Sequence, residues 1–265
     1  MNYPLIYVYC LTDSQPELTH YTEAEGLQLL RFDDLFAVVK YVSEIDFSEE
    51  NFQKHLSDIS WLENNAWEHV EVITRIMENH SVIPFKFGTI FQEGTGLKKF
   101  VGDYAESLAE NFLHVGGREE WAVKIYCDRN SLSDKIDELS EEAASLEIQI
   151  RASSPGKAYL LKRKKDDLIE NEMDRICKKY GQEYFDELNN LSEANRLNNL
   201  LPKEFTGRED TMILNATFLI SKSKVANFKN TVDRLGKKDE NFGFLLECTG
   251  PWPPFSFIYI KEKQQ

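Results

Sequence analysis

No apolar run in this chain comes near the ~18 residues that a membrane-spanning helix requires, so a helical membrane protein is not expected. Cysteine is sparse: four, at 10, 127, 177 and 248, with no CxxC pair and no zinc-ligand spacing. That excludes a disulfide framework and points to small buried residues in a reducing cytosol. The five histidines form no HExxH pair, and His55 and His69 lie about four helical turns apart, too far to share a metal. Both read as solvated or half-buried helix residues. The chain has no GxGxxG, no GxxxxGK[ST] and no GxSxG. Gly94-Thr95-Gly96 lacks the Lys-Ser/Thr of a phosphate loop and reads as the turn that opens a helix. The first residues carry no basic region, so a secretion signal is not expected. No catalytic, metal or cofactor site can be singled out.

Positive charge is scarce in one half only. Residues 1–120 hold 8 Lys+Arg against 21 Asp+Glu, whereas residues 121–265 hold 23 against 24. The asymmetry predicts two bodies with different surfaces, the first of which repels polyanions, so nucleic acid is not an expected partner. The basic run Lys162–Arg163–Lys164–Lys165 is followed at once by Asp166 and Asp167 and reads as a solvated helix face.

What is present is ample apolar patterning, at 42% hydrophobic and 12% aromatic residues, enough for a packed core. Leu5–Leu11 reads as a strand, and Leu27–Arg31 with Phe36–Val42 as a hairpin closed by an acidic turn. A short helical turn is expected at Thr22–Gly26. Ser48 caps a long amphipathic helix whose stripe runs from Phe52 through Leu56, Ile59, Leu62, Ala66, Val70 and Ile73 to Met77, with a bend near Asn64–Asn65. Val82–Phe91 reads as extended, and a helix through Leu97, Val101, Tyr104, Leu108 and Phe112 ends at Gly116–Gly117. An antiparallel sheet covered by helices on one face would bury these stripes.

Beyond the double glycine a second unit opens. Trp121–Tyr126 is a strand, Ser131–Ile150 a polar helix, and Pro155 starts a longer helix that can project from its sheet. Met212–Ile220 is a strand, Val225–Leu235 a helix ending at Gly236, and Phe242–Cys248 and Phe255–Ile260 are the last strands, before a polar tail. The reading is α+β: an acidic N-terminal domain over residues 1–117 and a C-terminal domain over 118–265 with long helices.

Three stretches are apolar and stiff. In Val82–Phe91, Ile83, Phe85, Phe87 and Phe91 fall on one strand face and Lys86 and Gly88 on the other, with Pro84 at an edge or at the strand's start. Ser154-Pro155-Gly156-Lys157-Ala158-Tyr159 launches a helix that carries Tyr159 in its first turns. Gly250-Pro251-Trp252-Pro253-Pro254-Phe255 holds Trp252 and Phe255 rigidly by its prolines. Such aromatics serve as interface anchors or fold back into the core. The candidate partner-binding residues are Trp252, Pro253, Pro254, Phe255, Lys86 and Tyr159.

With Tyr7-Val8-Tyr9, Ile83-Pro84-Phe85-Lys86-Phe87-Gly88-Thr89, Pro155-Gly156-Lys157-Ala158-Tyr159-Leu160 and Gly250-Pro251-Trp252-Pro253-Pro254-Phe255-Ser256-Phe257 in this order, the chain resembles the GvpF/GvpL family of gas vesicle accessory proteins over about residues 5–260. Lys86 stands where that family often has Arg, and Phe255 where Tyr is common, so a bidentate contact and a hydroxyl contact are in doubt. The resemblance implies two domains with ferredoxin-like antiparallel sheets. It also implies a non-enzymatic, cytoplasmic assembly factor, associated with gas vesicles, that needs no cofactor and binds the hydrophobic shell protein GvpA and other accessory proteins during nucleation or growth. A net charge of −14 suits an escort that stays soluble while covering apolar surface. The alternative is a small-ligand regulatory module on a ferredoxin-like scaffold, which a deep apolar pocket would favour over a flat aromatic patch.

Overall fold

A computed structural model of the chain describes residues 5–18 and 26–261. The chain divides into two compact units, Met1–Glu120 with Pro251–Gln265, and Trp121–Gly250. By this division residues 118–120 and the stretch from Pro251 on fall with the first unit, whereas the expected division lay at 117/118. The turn expected at Thr22–Gly26 and the polar tail beyond Lys261 fall, but for Gly26, outside the described residues.

In the first unit β1 (Leu5–Thr12), β2 (Leu27–Phe32) and β3 (Leu35–Val42) are followed by α1 (Glu44–Phe47), α2 (Glu49–His55) and α3 (Ile59–Met77). Then come β4 (Val82–Pro84), β5 (Ile90–Phe91), α4 (Gly94–Asp103) and α5 (Ala105–Val115). The sheet runs β2-β3-β1-β4, with β5 also on β1. Asp33 and Asp34 make the two-residue turn of the β2–β3 hairpin, Asp33 at a φ of 50°.

Every residue of β1 is buried, which requires cover on both faces rather than the one expected. Leu5, Tyr7, Tyr9 and Cys10 pack with Val72, Ile73 and Ile76 of α3. Ile6, Val8 and Leu11 pack with Leu97 and Val101 of α4 and with Leu108 and Phe112 of α5. The parity switches because the pairing with β3 slips between Val8 and Cys10, a bulge that sends Tyr9 and Cys10 to the same face.

The long helix expected from Ser48 is interrupted at Leu56–Asp58, not bent near Asn64. Ser48 does cap α2, accepting from the Asn51 N–H, and the Asp58 carboxylate caps α3 by accepting from the Trp61 N–H. The stretch from Val82 to Phe91 is broken too. Gly88 sits at a φ of 80°, and the turn around it sends Phe87 to the α3 face while Ile83, Phe85 and Phe91 stay on the α5 face. Pro84 ends the edge strand, where a missing N–H costs nothing.

The second unit comprises β6 (Arg118–Cys127, whose first three residues belong to the first unit), α6 (Arg129–Asp134), α7 (Ile136–Leu139), α8 (Glu141–Arg151) and α9 (Pro155–Asn189). They are followed by β7 (Ala194–Leu197), α10 (Lys203–Thr206), β8 (Thr211–Ser221), α11 (Val225–Asp239) and β9 (Phe244–Trp252, whose last two residues belong to the first unit). Its sheet order, β7-β8-β6-β9, follows the same plan as the first: second strand, third, first, fourth. Two α+β units built on this one split plan are the ferredoxin-like architecture. The core joins Trp121, Val123 and Ile125 of β6 to Phe218 of β8, Phe228 of α11 and Tyr184 of α9. Cys10, Cys127 and Cys177 are buried and Cys248 is half-buried, all as free thiols. Gly236 does not end α11, since a glycine inside a helix costs only about 1 kcal/mol and the following turn still packs.

Candidate functional site: an aromatic cluster around His69

Three of the four motif segments meet inside the first unit, around a histidine expected to be solvated or half-buried. His69 is 1% exposed. Its Nε2 lies 2.9 Å from the Phe85 carbonyl oxygen, which can only accept, so Nε2 carries the proton. Its Nδ1 then accepts from the Tyr7 hydroxyl at 2.8 Å, and the Tyr7 oxygen accepts in turn from the Gly88 N–H at 3.3 Å. One Tyr–His pair thereby fixes both ends of the Phe85–Gly88 turn. A Cβ on Gly88 would stand 2.5 Å from the tip of the Phe52 ring, so any other residue there would have to displace that ring besides straining its φ.

Rings fill the surroundings. Tyr9 stacks on His69 at 5.5 Å and 22°, and Phe255 lies roughly parallel to it at 6.3 Å. Phe87 meets its edge at 5.8 Å and continues into a cluster of Phe47, Phe52 and Trp61. The Tyr9 hydroxyl donates to Glu68 Oε1, which also takes Lys40 Nζ at 2.8 Å. That pair is partly solvated and adds little stability. Burial pushes the Tyr7 phenol up and outweighs the Phe85 carbonyl and Glu68 in holding His69 below its ordinary 6.5. With both nitrogens engaged and the ring buried, His69 organises structure rather than moving protons for a substrate.

A pH dependence follows from this. The unfolded chain takes up the His69 proton as pH falls below about 6.5, and the folded chain only at lower pH. The stability from neutral His69 is therefore complete above about pH 6.5 and is lost as pH falls from there through the folded value. The thermal midpoint of the wild type should fall between about pH 7.5 and pH 5.5, and that of His69→Gln should start lower and fall less. Equal slopes would show that His69 titrates as it does in the unfolded chain.

The tail is clamped beside this cluster. Glu120, a buried acid, accepts from the Ser256 N–H at 2.9 Å and from the Ser256 hydroxyl at 2.7 Å. Phe255–Ile260, expected to be a strand, is instead a 3₁₀ turn over Phe255–Phe257 followed by an extended run. The run has no ladder because side chains of α5 take its backbone groups. The Asn111 amide donates to the Tyr259 carbonyl and accepts from its N–H, at 2.9 and 2.8 Å, while Ser107 binds Tyr259 and Lys261. Phe255 faces His69, whereas Ile258 and Ile260 join the α5-side core, so the tail passes from one face of the sheet to the other.

Of the candidate residues, Pro253 and Pro254 are buried, and Trp252 and Phe255 stay 38% and 37% exposed on a backbone fixed by its neighbours. Phe255 is therefore not the core aromatic that a strand start would have made it. Lys86 is exposed and makes no ion pair among the described residues; its carbonyl accepts from the Thr89 N–H and hydroxyl. Tyr159 is 69% exposed in the first turns of α9, in the other unit. Sequence reasoning missed His69, Glu120 and Asn111. Among the described residues no group of three or more His, Cys, Asp or Glu is placed to hold a metal, and no helix is long and apolar enough to cross a membrane.

A family model described as gas vesicle synthesis protein GvpL/GvpF matches residues 5–259. Gas vesicle protein L of Streptomyces sp. (strain CB03234) is 27% identical over 98% of this chain and 94% of its own length. Gas vesicle protein L1 of Halobacterium salinarum is 22% identical over 66% of this chain and 63% of its own. Among solved structures, the gas vesicle protein GvpF from Anabaena sp. PCC7120 matches with a TM-score of 0.71 at 18% identity, covering 98% of this chain and all 100% of that one. GvpF from Microcystis aeruginosa matches at 0.65 and 16% identity, over 97% and 100%. At such identities the structural likeness concerns the fold.

Proposed function

We propose, from the premise that the chain belongs to the GvpL/GvpF family of gas vesicle synthesis proteins, that it is a non-enzymatic assembly factor whose first unit binds the hydrophobic shell protein GvpA, together with other accessory proteins, as gas vesicles form. One observation carries this reading. The Gly250–Phe257 motif presents Trp252 and Phe255 more than a third exposed, while Glu120 and the buried prolines hold its backbone still. Two aromatics ordered in advance lose little entropy on binding, and their apolar faces suit a partner with apolar surface to hide. The acidic surface of the same unit keeps such an escort apart from its own kind of patch.

Co-purification tests this. Tagged protein expressed with shell protein should retain it, and adding the other accessory proteins should increase the amount retained. Shell protein that passes through the column in both cases would remove the proposal.

A further inference from the structure

Two surfaces that this binding role does not use are complementary to one another. The first is a groove of about 670 Å³ in the first unit, within the size range of binding pockets. Phe47, Phe52 and Ile90 give it apolar walls, and Glu44, Glu49 and Glu93 stand around them. None of the described residues lining it carries positive charge, and Glu44 and Glu49 make no ion pair among the described residues.

The second surface is the tip of the α8–α9 hairpin in the second unit. From Ile148 to Lys165 the sequence holds six Lys or Arg and no Asp or Glu. Lys165 is spoken for by Asp137 and Glu147, and Arg151 by Glu147. Lys157, Lys162, Arg163 and Lys164 make no ion pair among the described residues. Beside them Ile148, Tyr159 and Leu160 are exposed, the last two at 69% and 66%, and no residue of α9 before Lys165 is buried. A solvated helix face would not place two large apolar side chains in sequence among its cations. This tip has the pattern of a plug: apolar at its point, cationic around it.

We infer that the groove takes the α9 tip of a second copy of this chain, Tyr159 and Leu160 lying against the walls formed by Phe47, Phe52 and Ile90 while the free cations meet Glu44, Glu49 and Glu93. Apolar contact supplies affinity, and the opposite charges supply orientation and speed of encounter. The contact joins unlike surfaces, so each copy keeps one free groove and one free tip, and association proceeds head to tail into rings or open chains. This goes beyond the assembly role and uses neither Trp252 nor Phe255.

Sedimentation velocity on the full chain tests it. The wild type should form species beyond dimer as its concentration rises in low salt, at least ten-fold more weakly at high salt. The tip variant K162E/R163E and the groove variant E44Q/E49Q should each stay monomeric, since either change breaks every contact in a one-component chain. Their equimolar mixture should form a dimer and stop there, because one partner supplies the only intact tip and the other the only intact groove. That recovery also proves both variants folded. A wild type that stays monomeric, association that survives either variant, or a mixture that does not pair would each overturn the inference. So would a monomeric wild type whose tip binds vesicles of anionic lipid, which would make the tip a membrane contact.

Discussion

Replacing Glu120 by leucine is expected to lower the unfolding free energy by about 2–4 kcal/mol. Its carboxylate takes two hydrogen bonds from Ser256, and a bond to a charged group contributes about 1.5–3 kcal/mol. Leucine relieves the desolvation of a buried charge but leaves the Ser256 N–H and hydroxyl facing an apolar side chain, at about 1–3 kcal/mol for each group kept from water. The unmet donors outweigh the relief. Glu120→Gln keeps one accepting oxygen and should lose about half as much, and Ser256→Ala, which removes the hydroxyl bond to the carboxylate but keeps the N–H bond, about 1.5–3 kcal/mol. Urea melts give the energies. Amide exchange adds the location: in Glu120→Leu the Tyr259 and Lys261 amides should lose protection first, before those of β1. A leucine variant that melts as the wild type does would show that the Glu120–Ser256 bonds do not hold the tail, and that packing with the Asn111 and Ser107 bonds suffices.

The parts of the fold built from local pattern were legible in the sequence. The β-branched and aromatic run at Leu5–Leu11, the acidic turn at Asp33–Asp34, the cap at Ser48 and the helix-opening Pro155 state their structure within a few residues. Where the structure departed, the deciding partner was distant. The apolar steps run without a fault across Leu56–Asp58, and only the capping geometry of Asp58 reveals that two helices share them. The run from Val82 to Phe91 has the composition of one strand, but Gly88 at positive φ turns it. Strand β7, Ala-Asn-Arg-Leu, has little strand character and exists because it pairs with β8, Ala194 opposite Leu219.

The site followed the same division. Its motif residues could be named in advance, but their convergence could not. His69 carried a signal that went unread: the buried face of α3 is His69, Val72, Ile73 and Ile76, the spacing i, i+3, i+4, i+7, one position round from the stripe drawn through Val70 and Met77. A histidine in register with that stripe is a buried histidine, and a buried histidine needs two partners. Glu120 gave no such warning. Its partner stands 136 residues away, and the same separation explains why Phe255–Ile260 looked like a strand: the groups that satisfy its backbone, on Glu120 and Asn111, are side chains from elsewhere.

Trp252→Ala is expected to weaken shell-protein binding by about 2 kcal/mol or more, roughly thirty-fold, as loss of an aromatic anchor does. Because Trp252 is already 38% exposed, its removal should cost the fold no more than about 1–2 kcal/mol. Phe257, three residues past the prolines and 1% exposed, is the contrast: Phe257→Ala should cost about 3–5 kcal/mol of stability, like other large aromatics truncated in a core. The account rests on that separation between presenting and packing residues in one short segment. The measurement that tests it most directly is the affinity of folded Trp252→Ala for purified shell protein, taken at a temperature where melts show wild type and variant both fully folded. The account predicts a loss of thirty-fold or more; binding at wild-type strength would contradict it.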